Sequence, residues 1–373
     1  MHLRDTILVT PPSALKNRDK HLEMLHGVLT ENGFRILPFS AGNALRLGRR
    51  AIWHIHWIDL FHTGKIRSLP MKRHYRLISL ARFVHFLLLV LLCKLSRVRM
   101  LWTVHNLASH ERPNSFFEKL VTRLLLLFSD RVTAVNGHIK EEIARSYGFA
   151  GTSLLRQGLY RGCYEDTVMR GEARRRLGLG ADDFVLVFMG VVEEYKGIDV
   201  AMEAMYDLPD DSVKLVVAGR LDAGSPYGRR VRDLAAGNGN ILLFDRFVPD
   251  EEVQIFFRAA DYSIYPYRRI DNSGPLYLTL AFGVPTIIRS AGGIPEILRL
   301  NPKVGIEIGP PERGDIVEAI GKARLGKVDE EEFAIFRETL SWESLEEEIL
   351  DLFRGLQDDA AATELPCVER RNA

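Results

Sequence analysis

Short apolar runs rich in β-branched residues alternate along the chain with longer stretches whose apolar positions recur every three or four residues. That alternation predicts parallel sheets covered by helices. In the first half, strands are expected at residues 6–10, 33–37, 51–55, 100–104 and 131–135. Helices are expected between them at 19–31, about 75–95, 115–128 and 138–147. A second series opens at 184–189, a continuous apolar run of the kind buried on both faces of a sheet. It continues with strands at 213–218, 241–244, 262–265, 286–288 and 305–308 and helices at 199–206, 228–236, 250–259, 276–282, 294–300 and 314–325. Residues 341–356 read as a last, acidic amphipathic helix.

Composition turns this pattern into domains. With 373 residues, 46% hydrophobic and 27% charged, the chain is long enough for two cores. A net charge of only +1 excludes a disordered bulk. The expected organisation is an N-terminal domain over 1–165, a C-terminal domain over 180–340, a closing helix over 341–357 and a loose tail over 358–373. The polar stretch 171–183 reads as part of the join. Two doubly wound α/β halves would face each other across a cleft at the carboxyl ends of their strands, where ligands of such sheets bind. The three cysteines, Cys93, Cys163 and Cys367, are far apart and suggest neither a disulfide framework nor zinc. The N-terminus runs straight into a strand with no signal-peptide pattern, so a reducing cytosol is the expected compartment.

Charge is unevenly spread. Between Leu60 and His110 there is no Asp or Glu, but there are nine basic residues, among them Lys65, Arg73, Arg76, Arg82, Lys94 and Arg97. The rest of the chain therefore carries a net charge of −8. The segment 65–99 also holds an apolar run of eleven residues, 83–93. That run is too short to span a bilayer, which needs about 20. Two readings stand: a core helix under a sheet, or a surface on anionic lipid at the inner face of the membrane. They coexist if the helix packs inward and its basic flanks face the membrane. No helix-turn-helix, zinc or RNP pattern supports nucleic acid as a partner.

Candidate chemistry concentrates after two strands of the second half. Gly190 allows a sharp turn after 184–189, and Lys196 on the same loop brings a positive charge suited to a phosphate. Further on, Tyr265-Pro266-Tyr267-Arg268-Arg269-Ile270-Asp271-Asn272-Ser273-Gly274-Pro275 runs from a strand into a helix. Asn272 or Ser273 suits the N-cap and Gly274 permits close backbone approach. The helix start then offers free N–H groups and the positive end of a dipole. Arg268 adds cationic reach.

These stretches, with Val216-Val217-Ala218-Gly219-Arg220, Phe247-Val248-Pro249-Asp250-Glu251, Ala281-Phe282-Gly283-Val284-Pro285 and Gly292-Gly293-Ile294-Pro295-Glu296, follow a familiar order. The second half resembles the nucleotide-sugar-binding domain of GT-B-fold glycosyltransferases and is most similar to the GT4-like group. The resemblance implies a GT-B fold of two Rossmann-like domains with the last helix returning to the N-domain. It also implies a donor site in which Lys196 contacts the diphosphate, Val248 contacts the base through its backbone, and Ser273-Gly274 hold phosphate. Gly190, Arg220 and Arg268 complete that set, while Asp271 and Asn272 are candidates for sugar or ribose hydroxyls. The family usually carries Arg after the first-loop glycine and two Glu eight positions apart; this chain has Val191, Ile270 and Leu278. A retaining mechanism is therefore not carried over.

In the first half, Trp53-His54-Ile55-His56-Trp57 and Trp102-Thr103-Val104-His105-Asn106 end two strands, and His110-Glu111 follow the second. Polar groups at strand ends should face the cleft. His105 is the expected substrate contact and His110 or Glu111 the candidate base for an inverting transfer. His56, Trp57 and Asn106 are assigned to the acceptor. No metal-ligand motif accompanies the histidines, so neither a metal nor a cofactor is expected. The resulting expectation is a metal-independent hexosyltransferase. It would move sugar from GDP-mannose, or a UDP-sugar, to a lipid-linked or saccharide acceptor in surface-polysaccharide assembly. A sugar-nucleotide epimerase and a non-catalytic nucleotide- or lipid-binding subunit are the alternatives.

Overall fold

A computed structural model describes residues 6–11, 19–62, 75–107, 116–209 and 211–361. The chain divides into two compact units. One comprises Met1–Gln157 with Trp342–Ala373, the other Gly158–Ser341.

The first unit is built on a six-stranded parallel sheet in the order β2-β1-β3-β4-β5-β6. Its strands are β1 (Thr6–Thr10), β2 (Arg35–Pro38), β3 (Ala51–Ile55), β4 (Arg99–Val104), β5 (Arg131–Ala134) and β6 (Thr152–Leu154). β1 and β3 are buried at every position, as a sheet covered on both faces requires. The last helix, Trp342–Ala361, belongs to this unit. Its Leu345, Ile349, Phe353 and Leu356 share a core cluster with Ile7, Val9 and with Leu22, Leu25 and Leu29 of the helix Lys20–Glu31. Arg156 fixes it from outside by binding one oxygen of Glu348 through Nε and Nη2, at 3.0 and 2.6 Å.

The second unit has the order β12-β11-β10-β7-β8-β9. Its strands are β7 (Phe184–Met189), β8 (Val213–Ala218), β9 (Ile241–Phe244), β10 (Tyr262–Tyr265), β11 (Thr286–Arg289) and β12 (Gly305–Ile308). This is the dinucleotide-fold order, in which the winding reverses between β7 and β10. In the first unit it reverses between β1 and β3. Loops leaving such a reversal diverge and open a crevice.

Three elements depart from the expected pattern. The stretch read as a polar join begins with a helix, Arg170–Leu177. It is almost wholly polar and is held by the buried Arg174, which donates to Asp261 Oδ2 at 2.9 Å and to the Ala259 carbonyl at 3.2 Å. β6 has three residues, too few to show a period. Ala41–Leu47 forms a helix capped by Ser40, whose side chain accepts from the Asn43 N–H.

The long helix Tyr75–Leu95 modifies the core-helix reading of the segment 65–99, of which 65–74 lie outside the described residues. Within it, Leu77–Leu95 is long and apolar enough to cross a membrane by length and composition, yet only 28% of that window is buried. The helix does pack inward through Phe83, Phe86, Val90 and Cys93. Its other face, however, is apolar and exposed, instead of being covered with only basic flanks presented outward.

Candidate active site

In the second unit the loop after β7 and the loop after β10 meet. Gly190 sits at φ 136°, a conformation that favours glycine, and a methyl group added there would lie 3.1 Å from Lys196 Nζ and 3.9 Å from Pro275 Cγ. Gly190 thus has the lysine on one side and the start of the helix Gly274–Ala281 on the other. A side chain on Gly219, in the loop after β8, would collide with the Gly190 carbonyl. Backbone bonds stitch these loops together: Gly190 N–H to Ala218 O at 2.9 Å and Val192 N–H to Arg220 O at 2.8 Å. The Arg220 side chain is exposed beside them.

Lys196 is 8% exposed, and its Nζ lies 6.0 Å from the Phe188 ring centroid and 5.8 Å from that of Tyr195. No carboxylate forms a salt bridge with it among the described residues. Burial pulls its pKa down to about 8, against an opposing pull from the charge of Glu193. A buried cation held against aromatic faces without a paired anion is suited to receiving one from a ligand.

The loop carrying Lys196 is clamped from the β10 side. A side chain on Gly197 would collide with the Pro266 carbonyl, and Arg268 N–H donates to Tyr195 O at 2.8 Å. The Arg268 guanidinium grips both oxygens of Asp199, at 2.8 and 2.6 Å, and also reaches Glu194 O at 2.6 Å. Asp199 is 1% exposed and also accepts from the Tyr227 hydroxyl at 2.9 Å. Burial alone would raise its carboxyl pKa, but the hydrogen bonds and charge of Arg268, with Tyr227 and Arg230, outweigh that and leave it below the usual value. The expected donor contact Arg268 is therefore spent on Asp199 and acts as a positioning residue for the lysine loop. Sequence reading missed this because Asp199 looked like an ordinary first-turn acid of the following helix.

At the second loop Ser273 is the N-cap of Gly274–Ala281. Its buried hydroxyl accepts from Leu276 N–H at 3.2 Å and pairs with the Tyr267 hydroxyl at 2.8 Å. The Ser273 hydroxyl is thus engaged within the fold, and a phosphate would meet the backbone of Gly274 and the helix dipole. Gly274 is half-buried, and a methyl group on it would come 3.3 Å from the Tyr160 hydroxyl. Asp271 and Asn272 are half-buried just upstream. Their loop rests on Gly293, whose N–H donates to Asp271 O at 3.0 Å, and on Gly292 at φ 61°, where a side chain would strike the Ile270 and Asp271 carbonyls. Val248 is buried in the cluster that holds Met189, Leu278 and Phe282.

The first unit gathers histidines at its own strand reversal. His56, just beyond β3, donates its N–H to the carbonyl of Thr10 in β1 at 3.1 Å. Its Nδ1 pairs with Nε2 of His105 at 3.0 Å, and Trp57 stacks on His105 with ring centroids 5.1 Å apart. Asn106 is half-buried next to it. His54 Nε2 begins a chain across three strands, 2.8 Å to the Thr103 hydroxyl and 2.8 Å from there to Thr133. His21 and His26, from the helix Lys20–Glu31, join the cluster with ring distances of 5.5 Å to His105 and 6.4 Å to His56. Their approach follows from tertiary packing and carried no local signal in the sequence. Burial lowers every one of these pKa values, to about 4 for His21 and His26 and about 3 for His105. His54 and His56 also fall well below the ordinary value. His105 is therefore a neutral hydrogen-bonding group at physiological pH. Among the described residues no three His, Cys, Asp or Glu side chains are placed to hold a metal ion. His110 and Glu111 lie outside the described residues. At the same reversal a cavity of about 310 Å³ is lined by Thr10, Phe39, Phe61, Arg82, His85 and Leu89.

Comparison with known proteins bears on both halves. Residues 169–353 match the family described as glycosyl transferases group 1. A GDP-mannose:glycolipid 4-beta-D-mannosyltransferase of Xanthomonas campestris pv. campestris is 24% identical over 293 residues, 76% of this chain and 73% of that protein. Sucrose-phosphate synthase from Thermosynechococcus elongatus superposes with a TM-score of 0.71 at 16% identity, covering 97% of this chain and 100% of that one. HepE of Anabaena, solved in complex with UDP and glucose, gives 0.68 at 13% identity, covering 94% and 100%.

Proposed function

This chain is a group 1 glycosyltransferase of the GT-B fold, and we propose that it transfers mannose from GDP-mannose to a lipid-linked saccharide at the inner face of a membrane during surface-polysaccharide assembly. The observation that carries the donor half is the buried ammonium of Lys196, set beside Gly190 and the start of the helix Gly274–Ala281 at the strand reversal. GDP as the nucleotide is supported by the mannosyltransferase relative of Xanthomonas campestris.

In the reaction the bond from the anomeric carbon to the diphosphate oxygen breaks and its electron pair leaves with GDP. A new bond forms to the acceptor oxygen, whose proton passes to the departing diphosphate and from there to solvent. Charge grows on the leaving diphosphate, and fixed positive groups aimed at it lower the barrier. Lys196 supplies a full charge from a site that needs little reorganisation, and the N–H groups at the start of the helix supply partial ones. Arg268 and Asp199 keep the lysine loop in register. In the first unit the neutral His105, braced by His56 and Trp57, is suited to hydrogen-bond a hydroxyl of the acceptor. The cavity lined by Thr10, apolar with Arg82 and His85 on its wall, suits the lipid-phosphate end of such an acceptor.

The test is a melting screen with GDP, UDP, dTDP and ADP, followed by transfer of labelled mannose to membrane lipid extract. GDP should raise the melting temperature most, since a ligand bound only by the folded state stabilises by mass action. Label should appear in lipid, and both effects should vanish in a folded Lys196→Ala variant. Stabilisation by UDP alone would reassign the donor. Recovery of an intact nucleotide-sugar with an inverted sugar carbon, without acceptor, would overturn the transfer to lipid proposed here.

A further inference from the structure

We propose that the outer face of the long helix Tyr75–Leu95, together with the neighbouring helix Phe116–Phe128, is a lipid-docking surface that lies flat on an anionic bilayer. The long helix has two distinct stripes. Ser79, Phe83, Phe86, Val90 and Cys93, spaced alternately by four and three, are buried in the first unit. Leu77, Leu80, Val84, Leu88, Leu91 and Leu95 point the other way and are between 45 and 76% exposed. A helix covering a soluble domain places charged and polar side chains on that outer stripe. Here it is aliphatic over nearly the full length of the helix.

The adjoining helix extends the surface. Phe83 and Phe117 touch with ring centroids 5.6 Å apart, and Phe116 and Leu127 are 74 and 72% exposed. Between them Lys119 and Arg123 are exposed on the same side. The pattern is an aliphatic ridge bordered by cations, the composition of a helix that sits at the boundary between headgroups and acyl chains.

Length and composition would also let this helix cross a bilayer. Its inner stripe argues against that, because Phe86 and Cys93 are fully buried against the sheet and a crossing helix would have to abandon that packing. Charge selects lipid over a second copy of the chain. Among the described residues, the exposed charges on the two helices and on the turn that follows the first are Arg97, Lys119 and Arg123, all basic, so two copies joined symmetrically through this face would oppose like charges. Anionic headgroups complement it, as at the cytoplasmic face of a cell membrane. The inference does not rest on the donor assignment, because docking is read without sugar transfer.

The experiment is flotation of the full chain with vesicles of phosphatidylglycerol and phosphatidylethanolamine, alongside a Leu88→Glu/Leu91→Glu double variant. Both substituted side chains are exposed, so the variant should melt like the parent. The parent is expected in the floating fraction, and the variant's bound fraction should fall at least tenfold. A parent that does not float, or a variant that floats equally well, overturns the proposal. So does a parent that forms a dimer which the double substitution dissociates, with no vesicle binding by either.

Discussion

The ammonium of Lys196 stands directly against Gly190, since a methyl group there would lie a tight 3.1 Å from Nζ. Gly190→Ala should therefore do two things at once. Forcing alanine to φ 136° costs about 1–3 kcal/mol. The methyl group should also push the Lys196 ammonium aside by a few tenths of an ångström and so reduce the stabilisation given by GDP. Melting curves with and without nucleotide separate the two effects, and a variant that still gains the parent's full shift would contradict this geometry.

The position of Lys196 also predicts a pH dependence. With its pKa held near 8, the amine is mostly charged at pH 7 and loses its proton as pH rises through 8. A bound diphosphate favours the charged form, so affinity for GDP should be level below pH 8 and fall by up to about tenfold per pH unit above it. Titration calorimetry from pH 7 to 9.5 reads this directly. Lys196→Arg should flatten the profile, because guanidinium stays charged throughout.

Arg268 is tied to Asp199 by two hydrogen bonds from a partly exposed guanidinium to a carboxylate that is almost fully buried. Arg268→Ala leaves that carboxylate to Tyr227 and Arg230 and should cost about 1–3 kcal/mol of stability. It should also weaken donor binding by loosening the loop that carries Lys196. Arg268→Lys should recover only part of either loss, since one ammonium cannot span both oxygens in the same plane. Chemical denaturation and nucleotide titration of the two variants provide the comparison, and complete rescue by lysine would exclude a positioning role.

The histidine cluster sets the acid limit of the first unit. The folded pKa values of His21, His26 and His105 lie at about 4, 4 and 3, below the ordinary 6.5 of an exposed imidazole. As pH drops below 6.5 the unfolded chain therefore binds protons that the folded chain refuses. Stability should be flat above about pH 7 and decline from 6.5 down towards 4. His26→Gln should make the decline shallower. Melting temperatures in a pH series check the sign, and an unchanged midpoint from pH 7.5 to 5 would refute it.

Much of the fold could be read from the chain because its central strands are short, mostly apolar runs, two of which, β7 and β8, end at a glycine. The residues 184–189 announced β7, and Gly190 and Lys196 followed from the loop chemistry at its end. The cap was legible as Asn272 or Ser273 because capping is a local event, and the structure selects Ser273. The misses share a cause: they are decided by partners distant in sequence. Arg268 was read only as cationic reach toward the donor, and only the fold brings Asp199 to it. His21 and His26 flank the apolar stripe Leu22, Leu25 and Leu29, but only the fold decides that this stripe brings them to His105 and His56. The helix Arg170–Leu177 has only Ala173 and Leu177 as an apolar stripe, too short to reveal it, and is further held by Arg174 reaching Asp261. For the long helix the apolar content was plain, but which stripe would be covered was not.

The grouping of Trp342–Ala361 with the first unit has a consequence for how the protein comes into being on the ribosome. Leu22, Leu25 and Leu29 find their last neighbours only when Leu345, Ile349 and Phe353 have been synthesised. The amino-terminal portion must therefore wait, incompletely covered, while the whole of the other unit emerges and closes its own sheet. Birth order and folding order are inverted, and a nascent chain stalled before Trp342 should remain a substrate for chaperones and proteases at its amino-terminal end.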